Sequence, residues 1–164
     1  SGDDRVIAGP TTDNISTGSG TDQAINLTTS ITVDLGADKD FAYIIIDNTD
    51  QINSSINING GSGSGYDYLI VKFVSVDTID LTLFRTHFDN FEIYSFEDSK
   101  SQEITIDIND FITLDEGMIL GIIGDEDDKA ILPEGATQTN SDDNWLYYTL
   151  NDVQIAISDE MLIG

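Results

Sequence analysis

Hydrophobic residues recur at every second position along most of this chain. Ile31, Val33 and Leu35 do so in "ITVDL", Leu69, Val71 and Phe73 in "YLIVKF", and Ile79, Leu81 and Leu83 in "TIDLTLF". Ile104, Ile106 and Ile108 alternate with Thr and Asp, and Val153, Ile155 and Ile157 close the series. A period of two sends successive side chains to opposite faces, so these segments read as strands with one dry and one wet face. "FAYIIID" (41–47) and "MILGIIG" (118–124) are continuously apolar and read as strands covered on both faces or touching a partner. No window of helical length shows a 3.6-residue period; a short turn near Asp110 or Asp159 is the most helix the pattern allows. About ten strands, separated by turns such as "DLGADKD", "NGGSGSG" and "DEGM", predict an all-β fold. The expected architecture is an antiparallel two-sheet β-sandwich of jelly-roll type. No fixed-period internal repeat is apparent. Residues 21–164 read as one sandwich domain. Residues 1–20 read as a polar arm with a strand at Arg5 to Ala8, lying along its own domain as an edge strand or against a neighbouring copy.

Charge narrows the partners. The 164 residues include 31 Asp and Glu against 6 Lys and Arg, a formal net charge of -25. Asp supplies 24 of those acids and Glu 7, which suits a loop-rich chain because Asp favours turns and caps. Such a charge repels itself at low ionic strength. Salt shortens the screening length to about 8 Å at ~0.15 M, and divalent cations neutralise charge locally. A salty or calcium-containing setting outside the cell, on a cell surface or on a virion is therefore expected. Nucleic acid is excluded, because phosphate contacts need Lys and Arg that this chain lacks. Anionic membranes are disfavoured for the same reason, and no apolar run reaches the ~18 residues of a membrane helix. There is no Cys, hence no disulfide, thiol nucleophile or thiolate metal site.

"NINGGSGSGYDYLIV" (57–71) is the most motif-like stretch. A phosphate-binding loop would need Gly-Lys-Ser/Thr closing onto a helix, and neither the Lys nor the helix is there. The calcium-binding nonapeptide G-G-x-G-x-D-x-U-x fits "SGSGYDYLI" (62–70) with Ser62 in place of the first Gly and Gly63, Gly65, Asp67 and Leu69 in register. That motif holds calcium between stacked repeats, and a lone copy has nothing to stack on. A flexible hairpin or loop tip is the expected role.

Calcium is better sought in the acidic loops, since hard cations want several converging oxygens. "GDEDDK" contributes Asp125, Asp127 and Asp128, "NSDDN" contributes Asp142 and Asp143, and "DNTDQ" contributes Asp47 and Asp50. None has EF-hand spacing, and a solvated acidic rim is the plain alternative. His87, the only histidine, has no recognisable nucleophile elbow to serve, so no catalytic residue is assigned. Paired carboxylates for glycosidase chemistry discriminate nothing among 31 acids. In "NWLYYTL", Leu146, Tyr148 and Leu150 share one face, leaving Trp145 and Tyr147 outward. Tyr66 and Tyr68 likewise oppose Leu69, Val71 and Phe73. Outward aromatics stack on sugar rings or anchor a protein interface.

One segment carries a resemblance. "INDFITLDEGMILGIIGDEDDKAIL" is similar to a glycine turn leading into an apolar strand in jelly-roll modules of phage tail and spike proteins and of secreted carbohydrate-active enzymes. Gly117, Leu120, Gly121 and Ile122 fill its places, and the aromatic strand "NWLYYTL" follows. The resemblance implies attachment or structural roles rather than catalysis, and it transfers no binding residue. The function expected is therefore a non-enzymatic structural or attachment unit. It would assemble with copies of itself or with other surface or virion proteins, as a filament subunit exchanging the strand of residues 1–20, or contact a host surface. The alternative is a glycan-binding module of a larger secreted enzyme.

Overall fold

A computed structural model describes residues 1–9, 13–27, 31–52, 56–63, 65–96, 100–110, 114 and 118–164. In chain order, β1 (Arg5–Ile7) and β2 (Asp13–Ser16) form a first coil, and β3 (Gln23–Leu27) and β4 (Ile31–Asp34) a second. The third holds β5 (Phe41–Ile46), the short helix α1 (Thr49–Ile52) and β6 (Asn57–Asn59). The fourth holds β7 (Tyr68–Phe73), β8 (Thr78–Asp80), helix α2 (Leu81–Arg85) and β9 (Phe88–Asp89). Next come β10 (Ile93–Ser95), β11 (Glu103–Thr105), a 3-10 turn (Ile108–Asp110), β12 (Leu120–Ile123) and β13 (Lys129–Ile131). A hairpin of β14 (Thr137–Ser141) and β15 (Trp145–Leu150) precedes β16 (Val153–Ser158) and β17 (Leu162–Ile163).

The strands are there, but they pair in parallel. One broad nine-stranded sheet has the order β1-β3-β5-β7-β10-β12-β16-β15-β14, with only the last two steps antiparallel. Two four-stranded parallel sheets, β2-β4-β6-β9 and β17-β13-β11-β8, complete the walls. The chain is thus a β-solenoid, each coil resting on the one before. This corrects the expected antiparallel jelly roll of about ten strands. A solenoid strand also has one face to the interior and one to water, so its two-residue rhythm is the same as that of a sandwich strand.

A repeat is present after all. Equivalent residues of the first coils lie 18 apart, as Asp4 to Asp22 and Asp22 to Asp40. The spacing then grows to 27 and 25 as loops are inserted. The described residues 1–9 and 13–20 belong to the first coil: β1 pairs with β3 of its own chain, and the Gly2 N–H donates to the Ser19 carbonyl. The glycine stretch after β6 is a corner between two walls and not a hairpin, since β6 and β7 belong to different sheets. Gly18, Gly36 and Gly61 stack there so closely that a Cβ on Gly36 or Gly61 would overlap the carbonyl oxygen of the glycine below. The strand-like "TIDLTLF" ends early: the Asp80 carboxylate accepts the Leu83 N–H, caps α2, and leaves Leu83 46% exposed.

The interior is filled by the alternating residues, among them Ile31, Val33, Leu69, Val71, Ile104 and Ile155. At the fourth coil both smaller walls meet, with β8 in one and β9 in the other. Phe84 of α2 plugs that junction, its ring centroid 4.3 Å from Phe88, 5.8 Å from Phe96 and 6.2 Å from both Phe73 and Tyr94. The Tyr94 hydroxyl, buried with them, donates to the Phe88 carbonyl at 2.7 Å.

Candidate functional site

The outer face of the broad sheet gathers the aromatics that the alternation sets outward. Tyr148 is buried and Leu146 and Leu150 pack against the core, so Trp145 and Tyr147 stand on the opposite face. Tyr66, Tyr68, Trp145 and Tyr147 line one open groove of about 220 Å³, together with Ile93 and Gly121. They come from two stretches far apart in sequence, brought together because β7, β10, β12, β16 and β15 are consecutive in the sheet. Gly121 forms part of the lining for a steric reason. A Cβ there would lie 2.5 Å from Ile93 Cδ1 and 3.2 Å from the Trp145 ring edge, so the indole settles over the strand only because none is present.

The groove has polar and cationic margins. The Tyr147 hydroxyl donates to Asp142 Oδ2 at 2.8 Å, while Asp142 Oδ1 accepts the N–H groups of Asn144 and Trp145. The hydrogen bond from Tyr147 holds the Asp142 carboxyl below its usual range, and that same bond raises the Tyr147 phenol. On the neighbouring rungs Phe41 stacks on Tyr68 with centroids 5.2 Å apart. Lys39 Nζ lies 5.1 Å from the Phe41 centroid and 4.7 Å from that of Tyr68. A second shallow, mostly apolar depression continues the face over Ile25, Phe41, Tyr43 and Ile70.

The acidic loops are not gathered in this way. Asp128 is fully buried, with Oδ1 accepting the Gln102 N–H at 2.8 Å and Oδ2 the Asp125 N–H at 3.0 Å. Asp125 Oδ1 in turn accepts the Asp127 N–H, so these carboxylates shape a turn. Asp125 and Asp127 share an open notch with Glu126 and Glu160, the last a residue that sequence reasoning missed. Asp142 serves Tyr147, Asp143 is exposed, and Asp47 and Asp50 sit at the end of β5 and in α1. Among the described residues no group of three or more acidic or His side chains converges to hold a metal ion.

The glycine corner has neighbours that its sequence did not disclose. It lines a cavity of about 380 Å³ with Asp67, Arg85, Asp89 and Glu92. Asp67 and Glu92 belong to a ladder that runs beyond the cavity. The backbone N–H groups of Asp4, Asp22, Asp40 and Asp67 donate to the carboxylates of Asp22, Asp40, Asp67 and Glu92 at 2.8, 2.7, 2.7 and 2.7 Å. Each acid stands just before a strand of the broad sheet. The same link recurs at Asp22 and Asp40, which do not line the cavity, so the ladder is a repeating part of the scaffold. The 18-residue spacing of Asp4, Asp22 and Asp40 was the signal that could have found it. "GSGTDQAI" (18–25) and "GADKDFAY" (36–43) stack on the rungs beneath residues 61–63 and 65–70, so the glycine stretch is not the lone copy it looks to be. His87 stands apart, its Nδ1 3.2 Å from the Ile56 carbonyl oxygen.

Neither family models, nor characterised proteins, nor solved structures match this chain.

Proposed function

We propose that this chain is a non-enzymatic structural and attachment unit, displayed outside a cell or on a virion, that contacts glycan through the groove on its broad sheet. What supports the reading is the convergence of Tyr66, Tyr68, Trp145 and Tyr147 on one open groove that Ile93, Gly121 and Ala156 also line. Flat aromatic faces beside a hydrogen-bonding rim suit a sugar ring, which is apolar on its faces and polar at its edge. Pairing of β1 within its own chain leaves strand exchange by residues 1–20 out of this reading.

The test is a glycan array followed by titration calorimetry, comparing the parent with Trp145→Ala and Tyr68→Ala. Covering about 80 Å² of the indole at ~25 cal/mol per Å² gives about 2 kcal/mol, or roughly thirtyfold in Kd. Both variants should stay folded and lose affinity by tenfold or more. No glycan bound by the parent, or affinity untouched by either substitution, sinks the glycan reading. A second reading, contact with protein or with copies of the chain, is favoured by the apolar depression over Phe41, Tyr43 and Ile70 beside the groove. Light scattering across a concentration series tests it, and a monomer throughout counts against self-assembly.

A further inference from the structure

Asp22 and Asp40 have no exposed surface, and Asp67 and Glu92 are 3% and 7% exposed. Each uses one oxygen to accept the N–H from the rung below. The second oxygens of Asp22 and Asp40 are buried without any hydrogen-bond partner. Four carboxyl groups are thus stacked on consecutive rungs, about 5 Å apart as adjacent strands are. Lys39 turns to the outer face, over the rings of Phe41 and Tyr68. Arg85 pairs with Asp110 at 3.3 Å.

We propose that this ladder is a proton-binding spine: Asp40 and Asp67 take up protons in the folded chain and hold its coils together more firmly in mild acid than in mild base. A neutral carboxyl keeps the carbonyl oxygen that accepts the backbone N–H and sheds the charge that burial penalises. The groups facing Asp40 are Asp22, Asp38 and Asp67, all acidic. Those facing Asp67 are Asp40 and Glu92, with Arg85, Asp89 and Tyr94 across the cavity. Burial is the largest influence on both. Against the pull of the backbone hydrogen bond and with the push of neighbouring acids, it raises Asp40 to about 6 and Asp67 to about 7.

The direction of the pH dependence follows. Between the ordinary carboxylate range and these raised values, the folded chain binds more protons than the unfolded one, so stability falls as pH rises. The contribution is complete below about pH 4, drains away through pH 6 and 7, and is gone above. From 3.8 to about 6, Asp40 alone changes the folding equilibrium by about a hundredfold.

The experiment is urea unfolding of the full chain at constant ionic strength with chelator present, at pH 5 and pH 8, for the parent, Asp40→Asn, Asp67→Asn and the exposed control Asp143→Asn. An Asn oxygen still accepts the backbone N–H, so it mimics the protonated acid. Asp40→Asn and Asp67→Asn should each raise the folding constant at both pH values, and by about tenfold or more further at pH 8 than at pH 5. The control should keep the parent's pH slope, separating the ladder from the general repulsion of a net charge of -25. Carboxyl carbon NMR should place the titration midpoints of Asp40 and Asp67 above pH 5. Midpoints below pH 4.5, or Asn variants equally destabilised at both pH values, overturn the proposal. So does a stabilisation by added calcium at pH 8 that the Asn variants lose, which would make these acids cation ligands instead.

Discussion

Gly36→Ala tests how tightly the coils rest on one another. Gly36 has φ of +104°, a region in which side chains are strained by about 1–3 kcal/mol. Its new Cβ would also overlap the Gly18 carbonyl oxygen, which accepts the Ala37 N–H at 2.8 Å. The Gly36 carbonyl accepts the Ser62 N–H, also at 2.8 Å, so the residue is stitched to the rungs on both sides. Relief requires the corner to open, loosening both bonds at about 0.5–1.5 kcal/mol each. The expected loss is about 3–5 kcal/mol, against a total of about 5–15 for an ordinary domain. At roughly 2–4 °C per kcal/mol for a chain of this size, Tm should fall by about 10 °C or more. Gly135→Ala is the matched control. Its φ is +92°, but its Cβ would meet only Leu150 Cδ1 at 3.5 Å, an ordinary contact, so it bears the backbone strain alone. Thermal and urea unfolding would be followed by circular dichroism and by Trp145, the sole tryptophan. If the two variants lose the same stability, the corner has room to spare and the close stacking of glycines is not what restricts it.

Two further outcomes follow from the core and from the rim of the groove. Phe84→Ala removes the ring that meets four other aromatics at the junction of the smaller walls; it should cost about 3–5 kcal/mol in urea unfolding, with no loss in affinity for any ligand of the outer groove. Asp142→Asn removes the charge against which the Tyr147 hydroxyl rests, so ultraviolet titration should show one phenol ionising at lower pH than in the parent.

Much of the local structure was legible. The alternation located β4, β7, β15 and β16 and placed Trp145 and Tyr147 opposite Leu146, Tyr148 and Leu150, because a pleated strand leaves no other assignment. Parallel pairing was hidden, since period two says which face is dry and nothing about which strand lies alongside. The decisive clue was Gly18 with Gly36 and Asp22 with Asp40, and it was obscured where α1 and its loop stretch the third coil. Alternation also overran into α2, where Asp80 prefers to cap and Leu81 and Phe84 are the buried residues. The aromatic groove was half visible: each outward aromatic could be read from its own strand, but their convergence depends on the order of the sheet. The carboxylate ladder was masked for the opposite reason. Asp is so common here that the even spacing of Asp4, Asp22 and Asp40 did not stand out among 24, and the last rung carries Glu92 instead.

The hairpin at one border of the broad sheet has a further consequence. β14 reads Thr-Gln-Thr-Asn-Ser and is exposed along its length, with no apolar side chain on either face. Parallel rungs are a natural template for yet more rungs, which is how fibrils lengthen. Here the template is folded back on itself and finished with a strand that offers a newcomer nothing to bury. A molecule arriving on that flank would therefore find open backbone but no apolar surface to share, a poor seat for another rung.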